Sequence, residues 1–312
     1  CRINAEDPFR GFLPSTGRLV KFQPPKEIPG HVRVDTGVYD GGEISMFYDS
    51  MIAKLIVHGA TREQAIARMR DALNGFVIRG ISSNIPFQAA LMQHPVFHSG
   101  IFDTGFIPKH YPTGFDASMV PHDDPALLVS VAAYVYRAYT DRSASVTGQL
   151  QGHERLVSDN WCVVRLNPNG NEQHSVVARP IPGGYHVEYK GEEYEILSDW
   201  KLGESLFNGT CNGEEFTLQV ERHKTRYSLF HWGTRADFMV MSARAAELLA
   251  LMPEKPAPDL SKFLLSPMPG LLREIAVQVG QDVKAGEKLA VIEAMKMENI
   301  LKAEQDCKVK KI

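Results

Sequence analysis

The stretch ALLVSVAAYVYRAY, residues 126–139, presents apolar side chains on nearly every side of a helix. Asp124 precedes it as an N-cap residue and Pro125 stands at the first helical position, so the pattern predicts a helix over residues 125–141. A helix that is apolar on all sides must be buried on all sides. Because this one is shorter than the roughly 20 residues of a membrane span, the rest of the protein has to enclose it.

Short segments rich in β-branched and aromatic residues follow this helix, and turn-forming pairs such as Asn169-Gly170, Gly183-Gly184 and Asn212-Gly213 separate them. Strands at this spacing predict an all-β barrel or sandwich. A barrel wrapped around the apolar helix agrees with both patterns and leaves no exposed sheet edge. The predicted strands are WCVVRL, HSVVAR, GYHVEYK, EYEIL, EFTLQVER, RYSLFHW and RADFMVM.

Composition and motifs exclude several classes of protein. The chain of 312 residues has a formal charge of −3, which gives no reason to expect nucleic-acid binding. Its four cysteines lack metal-ligand spacing, which favours a reducing compartment. The motifs GxxxxGK[ST], GxSxG and HExxH are absent, as is GxGxxG after a strand. The isolated His186 and His231 are interpreted as strand residues with satisfied hydrogen bonds.

The opening segment alternates strand-like stretches with Gly and Pro turns, namely CRINAED, GRLVKFQPP, HVRVDTGVYDGG and FYDSMIAKLIVHG. Thr61 and Gln64 then form a capping-box pattern ahead of an apolar face at helical spacing. A second helix is predicted over residues 85–93, which Pro95 ends. Strands with two helices packed on one side give an α+β arrangement.

The stretch EAMKMEN, residues 293–299, is ambiguous from its residues alone. Ala, Met, Lys and Glu favour a helix, but Gly270, Gly280 and Gly286 divide the region into strand-length pieces. We therefore predict a sheet with a hairpin near Lys296. A proline-rich stretch, MPEKPAPDLSK, precedes this region and is typical of a semi-rigid linker.

The opening segment resembles the C-terminal part of biotin carboxylase, the ATP-grasp half of biotin-dependent carboxylases, through CRINAEDPFRGFLPSTGRL, VRVDTGVYDGG and FYDSMIAKLI. The resemblance implies that Arg33 faces the ureido ring of biotin, where a guanidinium stabilises an enolate-like anion. Asp49 either orients an arginine or caps the turn before its strand. In that family the ATP loop, the metal-binding carboxylates and the general base precede the matching segment, so we expect this chain to be a piece of something longer.

The middle segment resembles the linking domain of propionyl-CoA carboxylase α subunits, a barrel with a central helix that joins the biotin-bearing subunit to its carboxyltransferase β subunit. The last segment resembles a biotin carboxyl carrier domain, a flattened β-barrel with AMKM at an exposed turn. This resemblance implies that biotin is attached to Lys296 and that biotin protein ligase recognises Met295 and Met297 with it. Only sixteen residues follow Lys296, so we expect a carrier that is incomplete at its C-terminus.

The predicted fold class is a multidomain chain, α+β and β-rich. Its parts are the biotin carboxylase subdomain (1–112), the linking barrel with its helix (113–252), the linker (253–262) and the biotinyl domain (263–312). The order implies the biotin-bearing α subunit of an acyl-CoA carboxylase, most like propionyl-CoA carboxylase, in an α6β6-type hetero-oligomer. ATP, Mg²⁺ and bicarbonate would carboxylate biotin on Lys296, and an acyl-CoA on the β subunit would receive the carboxyl group.

Three alternatives remain open at this point. The acyl-CoA could be another one, such as methylcrotonyl-CoA, because its pocket would lie on the other subunit. A lipoyl carrier has a similar fold, but the methionine pair is the biotin form. The third alternative is a non-catalytic adaptor built on the barrel. No nucleic-acid or membrane partner is expected, and the resemblance places the protein in the bacterial cytoplasm or the mitochondrial matrix, depending on its source.

Overall fold

The computed structural model describes residues 1–120, 125–153, 155–168, 170–253, 260 and 262–312. Residues 1–120 form an N-terminal unit of short strands and helices. Its strands are β1 (Arg2–Asn4), β2 (Glu6–Asp7), β3 (Leu13–Pro14), β4 (Gly17–Arg18), β5 (Lys21–Gln23), β6 (Val32–Thr36), β7 (Glu43–Ile44), β8 (Met51–Val57) and β9 (Val77–Arg79). Its helices are α1 (Arg62–Asn74), α2 (Ile85–Gln93), α3 (Pro95–Ser99) and α4 (Phe106–His110).

The main sheet of the N-terminal unit places β8 between β1 and β6, antiparallel to both. α1 packs on this sheet with its predicted apolar face, so that Ile66 and Leu73 join the core. The Thr61 hydroxyl accepts the Gln64 amide at 3.2 Å, which confirms the predicted cap. The return bond differs from a standard capping box, because the Gln64 side chain accepts the amide of Ala60 rather than that of Thr61.

The second predicted helix is confirmed as α2, and Pro95 ends it by starting the separate α3. Phe87 on α2 packs edge-on against Phe115, with ring centroids 5.2 Å apart, and Val120 joins the same cluster. The segment after α4 therefore covers the N-terminal unit before the chain enters the next one. The boundary at residue 112 stays a prediction.

Eight antiparallel strands close into a barrel, in which each strand pairs with the next and the last pairs with the first. A long helix precedes the strands and a short one follows them. The elements of this barrel unit (residues 125–253) are α5 (Pro125–Ala144), β10 (Asn160–Leu166), β11 (Glu172–Ile181), β12 (Gly184–Tyr189), β13 (Glu192–Leu197), β14 (Leu206–Cys211), β15 (Glu214–His223), β16 (Arg226–His231), β17 (Thr234–Met241) and α6 (Ala243–Ala250).

α5 fills the interior of the barrel, as its apolar surface predicts. Val131 and Val135 are fully buried and share one core with inward-facing strand residues such as Phe207 and Leu229. The helix continues to Ala144 rather than ending at residue 141. The predicted N-cap at position 124 lies outside the described residues.

One charged side chain ties α5 to the barrel wall. Arg137 is only 5% exposed, yet its guanidinium donates to Asp141 at 2.8 Å and to Asp159 at 2.6 Å. It also donates to the carbonyl oxygen of Ala178 on β11 at 2.7 Å. A buried charge with this many partners fixes the helix in one position along the barrel.

The barrel has one strand more than the sequence predicts, since β14 was missed. β14 contains Asn208-Gly209, a pair that is typical of a turn. Glycine is required there for another reason, because a Cβ at Gly209 would lie 2.5 Å from the carbonyl oxygen of Leu197. The pair at Asn212-Gly213 is a true turn, with φ of 51° and 86°. Asn169 lies outside the described residues, and α6 was not predicted.

The C-terminal unit, residues 262–312, consists of short strands in two antiparallel sheets. β18 (Leu271–Ile275), β20 (Lys288–Ala294) and β21 (Met297–Lys302) form one sheet, and β19 (Asp282–Val283) pairs with β22 (Cys307–Lys308). The predicted hairpin is confirmed and the helix alternative is wrong. Most of the predicted linker lies outside the described residues.

Candidate functional site

Lys296 lies at the tip of the β20–β21 hairpin. Ala294 pairs with Met297, so Met295 and Lys296 alone form the turn. Both have positive φ, 49° and 63°, as a two-residue type I′ hairpin turn requires. Glycine and asparagine normally fill such positions, because other side chains clash with their own backbone there. Two non-glycine residues held at positive φ point to a function that requires these side chains.

The surroundings of the turn present Lys296 to solvent. The side chain of Lys296 is exposed, and that of Met297 is 40% exposed beside it. Below the turn, Glu293 and Glu298 stand opposite each other across the hairpin. Arg273 donates to Glu293, and this bond together with the field of the two carboxylates raises the pKa of Arg273. The amine therefore projects from a hairpin in which Arg273 partly neutralises two facing carboxylates.

Met295 behaves differently from Met297. It is 4% exposed and packs into the core cluster of the N-terminal unit. Its backbone amide donates to the carbonyl oxygen of Met46 at 2.6 Å. The two methionines therefore do not share one exposed surface in this arrangement, and their pairing with the lysine in one recognition surface stays a prediction.

The hairpin rests on a loop of the N-terminal unit, residues 45–50. Tyr48 in this loop lies under the Lys296 ammonium, with 5.8 Å between Nζ and the ring centroid. Phe47 and Tyr48 are both 75% exposed. Leu13 of the N-terminal unit packs against the cluster around Met268 in the C-terminal unit. Sequence reasoning missed this aromatic loop, although the two adjacent aromatic residues that open FYDSM were a usable signal.

Arg33 lies on β6 with its side chain 67% exposed. Its guanidinium pairs with Asp35 at 3.1 Å, two residues along and on the same face of the strand. Asp35 was not singled out from the sequence, although the i, i+2 spacing on a strand would have indicated it. None of the contacts described for Arg33 reaches Lys296, so the structure does not bring the two predicted site residues together.

Asp49 caps a turn. Its Oδ1 accepts the backbone amide of Met51 at 2.9 Å, directly where β8 begins. This is the second of its two predicted roles, and the geometry supports it over the orientation of an arginine.

The described part of the chain contains no cluster of three or more His, Cys, Asp or Glu side chains that could hold a metal ion. Among the described helices, none combines the length and the apolar character needed to cross a bilayer. His186 lies 3.5 Å from Glu193, and His231 is buried and stacked on Trp232 at 4.2 Å between ring centroids. Both histidines lie on strands, β12 and β16, as predicted.

Comparison with known families assigns all three units. Residues 1–109 match the biotin carboxylase C-terminal domain, residues 128–255 match the propionyl-coenzyme A carboxylase BT domain, and residues 258–312 match the family described as biotin-requiring enzyme. Each of the three units thus resembles a domain of the biotin-dependent carboxylases. The multidomain fold of the chain, a biotin carboxylase subdomain followed by a barrel with a central helix and a biotinyl domain, is the predicted one.

Relatives that match along the whole chain are named as alpha chains of acyl-CoA carboxylases. The propionyl-CoA carboxylase alpha chain of Ruegeria pomeroyi is 42% identical over 100% of this chain and 48% of its own length. The mitochondrial propionyl-CoA carboxylase alpha chain of Homo sapiens is 35% identical over 100% and 43%. The mitochondrial methylcrotonoyl-CoA carboxylase subunit alpha of Dictyostelium discoideum is 30% identical over 100% and 45%. The chain thus spans less than half the length of these relatives.

Proposed function

We propose that this chain is the biotin-bearing part of an acyl-CoA carboxylase α subunit and that Lys296 carries the biotin. The observation that supports this most directly is an exposed lysine at the tip of a turn that keeps two non-glycine residues at positive φ. The site fits the group chemically, because an amine at the end of a four-carbon stem can be acylated without displacing any core residue. The match of residues 258–312 to biotin-requiring enzymes supports the same assignment.

Attachment uses the chemistry of the lysine itself. Nζ must first lose a proton, after which its lone pair attacks the activated carboxyl carbon of biotin and the activating group leaves. The product is a neutral amide, so the positive charge over Tyr48 disappears and an apolar tether replaces it. Bound biotin then supplies a ring nitrogen that carries a carboxyl group between two active sites.

The reaction we propose is the ATP- and bicarbonate-dependent conversion of propionyl-CoA to methylmalonyl-CoA. ATP and Mg²⁺ act in the complete biotin carboxylase domain, and the acyl-CoA binds to a carboxyltransferase β subunit. The relatives favour propionyl-CoA as the substrate. The two propionyl-CoA carboxylase alpha chains are 42% and 35% identical to this chain, whereas the methylcrotonoyl-CoA carboxylase subunit is 30% identical. We further propose loading by biotin protein ligase, an α6β6-type assembly, and residence in the bacterial cytoplasm or the mitochondrial matrix.

The assay that tests this function measures bicarbonate fixation by the full-length α subunit with its β subunit, using propionyl-CoA and methylcrotonyl-CoA in parallel. We expect ATP-dependent and avidin-sensitive carboxylation, with the larger kcat/KM for propionyl-CoA. A larger value for methylcrotonyl-CoA would support the second candidate. A complex that bears biotin and yet fixes no bicarbonate on either substrate would contradict the proposal.

Replacing Arg33 with alanine should lower the carboxylation of free biotin by about 100- to 1,000-fold, the range seen when one oxyanion donor is lost. The guanidinium is charged, exposed and held on a strand by Asp35, so it is free to face negative charge that develops on a bound ring. ATP binding should hardly change. Kinetics of the full-length enzyme on free biotin, with ATP binding by calorimetry, measure both effects.

Arg244→Ala is the matched control for Arg33→Ala. Arg244 is also an exposed arginine in an ion pair, with Glu247 at 2.8 Å, but it lies on α6 of the barrel unit. Its loss should leave the carboxylation of free biotin unchanged. If the Arg33 and Arg244 variants carboxylate free biotin equally fast, Arg33 has no role in this reaction.

The barrel is the part that we propose to dock the β subunit. Surface substitutions at the turn tips test this, but two tips are unsuitable because a substitution there would disturb the barrel itself. A Cβ at Gly184 would lie 1.9 Å from the carbonyl oxygen of Ile196. The Asn212 side chain accepts the backbone amide of Glu195 on β13. Exposed Lys190, Glu214 and Lys224 mark three tips without such constraints. Charge reversal of at least one tip should weaken assembly tenfold or more by calorimetry while sparing the carboxylation of free biotin. If all three variants assemble normally, these tips are not the docking surface.

A further inference from the structure

The outer face of β15 is covered at its centre although it points away from the barrel interior. Leu218 and Val220 face α5 inside the barrel. Because side chains alternate along a strand, Thr217 and Gln219 point outward. Gln219 is nevertheless only 6% exposed, which means that another part of the chain covers it. The cover is the end of α1 in the N-terminal unit.

Asn74, the last residue of α1, reaches from the N-terminal unit to two places on the barrel. Its side-chain nitrogen donates to the carbonyl oxygen of Thr217, and its side-chain oxygen accepts the backbone amide of Trp232 at 2.9 Å. The side chain is 5% exposed. A buried amide that is bonded at both ends tolerates little displacement, because moving it leaves polar groups unpaired away from water.

Gln219 makes the reverse connection from the barrel to the N-terminal unit. Its side-chain nitrogen donates to the carbonyl oxygens of Asn74 at 2.8 Å and Phe76 at 3.1 Å. Its side-chain oxygen accepts from Arg79 at 2.8 Å. Arg79 also pairs with Glu221 at 3.1 Å, and this pairing opposes the lowering of the Arg79 pKa that burial causes.

The turn between β16 and β17 packs against α1 and α2 of the N-terminal unit. Trp232 and Gly233 have φ of 47° and 85° and form a tight two-residue turn. A Cβ at Gly233 would lie 2.8 Å from the Cβ of Ala89 on α2, so only glycine allows this approach. The Arg70 guanidinium lies 4.1 Å from the centroid of the Trp232 ring, and the Gln93 side chain donates to the Trp232 carbonyl oxygen at 3.3 Å.

We propose that Asn74 and Gln219 lock the N-terminal unit and the barrel into one rigid body, which fixes the biotin carboxylase site relative to the docked β subunit. This inference rests on the proposed function, in which the barrel docks that subunit. With these two units fixed, the linker before the C-terminal unit supplies the movement that carries Lys296 between the active sites. The two amides are positioning residues that touch no substrate.

Two full-length variants test the lock from its two sides, namely Asn74→Ala on the N-terminal unit and Gln219→Ala on the barrel. Amide hydrogen exchange at the β16–β17 turn should accelerate about 10- to 100-fold, because Trp232 loses the protection of this contact. Exchange on the inner strands of the barrel should not change. In the biotin-loaded complex with the β subunit, coupled carboxylation of acyl-CoA should fall at least tenfold, while carboxylation of free biotin stays within twofold of wild type.

Asn208→Ala is the matched control, since the Asn208 side chain accepts the Thr217 hydroxyl within the barrel at 2.8 Å. It should leave turn exchange and coupled turnover unchanged. Unchanged exchange in both lock variants would overturn the rigid contact. Faster exchange with normal coupled turnover would overturn its role in catalysis. A wild-type complex without coupled turnover would instead contradict the proposed function, and the exchange measurement would still decide the lock.

Discussion

Replacing Lys296 with arginine should abolish biotinylation of this protein and leave its fold unchanged. Arginine keeps the length, the charge and the exposed position at the tip of the β20–β21 hairpin, so the turn and its contact with Met46 should persist. Its guanidinium stays protonated at any pH that a protein survives, which removes the lone pair that attacks an activated carboxyl. Incubation with biotin, ATP and biotin protein ligase, followed by avidin blotting and intact mass, measures the result.

Lys302→Arg is the matched control, because Lys302 is an exposed lysine on β21 of the same hairpin. That variant should gain one biotinyl group, as the wild type does. Circular dichroism of both variants should overlay that of the wild type. Avidin binding by the Lys296 variant would show that another residue carries the group, and a failure of both variants would place the defect in the hairpin instead.

The hairpin shows how far sequence reasoning reaches at the candidate site. Gly270, Gly280 and Gly286 indicated strands, and the structure confirms a turn at Lys296. The type of turn was beyond prediction, since methionine and lysine both disfavour positive φ. The burial of Met295 was equally beyond prediction, because it depends on a contact with Met46, which is remote in sequence.

In the barrel, too, some features could be predicted from the sequence and others could not. The all-apolar helix and the turn spacing were sufficient to predict a barrel around α5, since both are local patterns. β14 was missed because Gly209 is needed for close approach to Leu197 and reads as a turn residue in the sequence. The Asn74 and Gln219 contact has no local pattern at all, because each residue looks like an ordinary surface amide until the two units meet.

Val131→Asp should unfold the barrel. Val131 is fully buried on α5, and inward-facing strand residues surround it. Burying valine contributes about 1.5–3 kcal/mol, and an uncompensated charge inside a core costs several kcal/mol more. Their sum approaches the 5–15 kcal/mol that typically stabilises a domain. Near-ultraviolet circular dichroism and urea unfolding should show a barrel without cooperative structure at neutral pH.

Two comparisons separate this effect from a general loss of solubility. Val146→Asp makes the same change at a position that is 53% exposed and should leave the unfolding midpoint almost unchanged. Burial raises the pKa of the new carboxyl above its value in the unfolded chain, so the penalty grows as pH rises above about 4 and shrinks below it. We therefore expect Val131→Asp to lie closer to wild type in stability at pH 4 than at pH 7. A cooperative barrel of wild-type stability at pH 7 would mean that position 131 does not face a closed core.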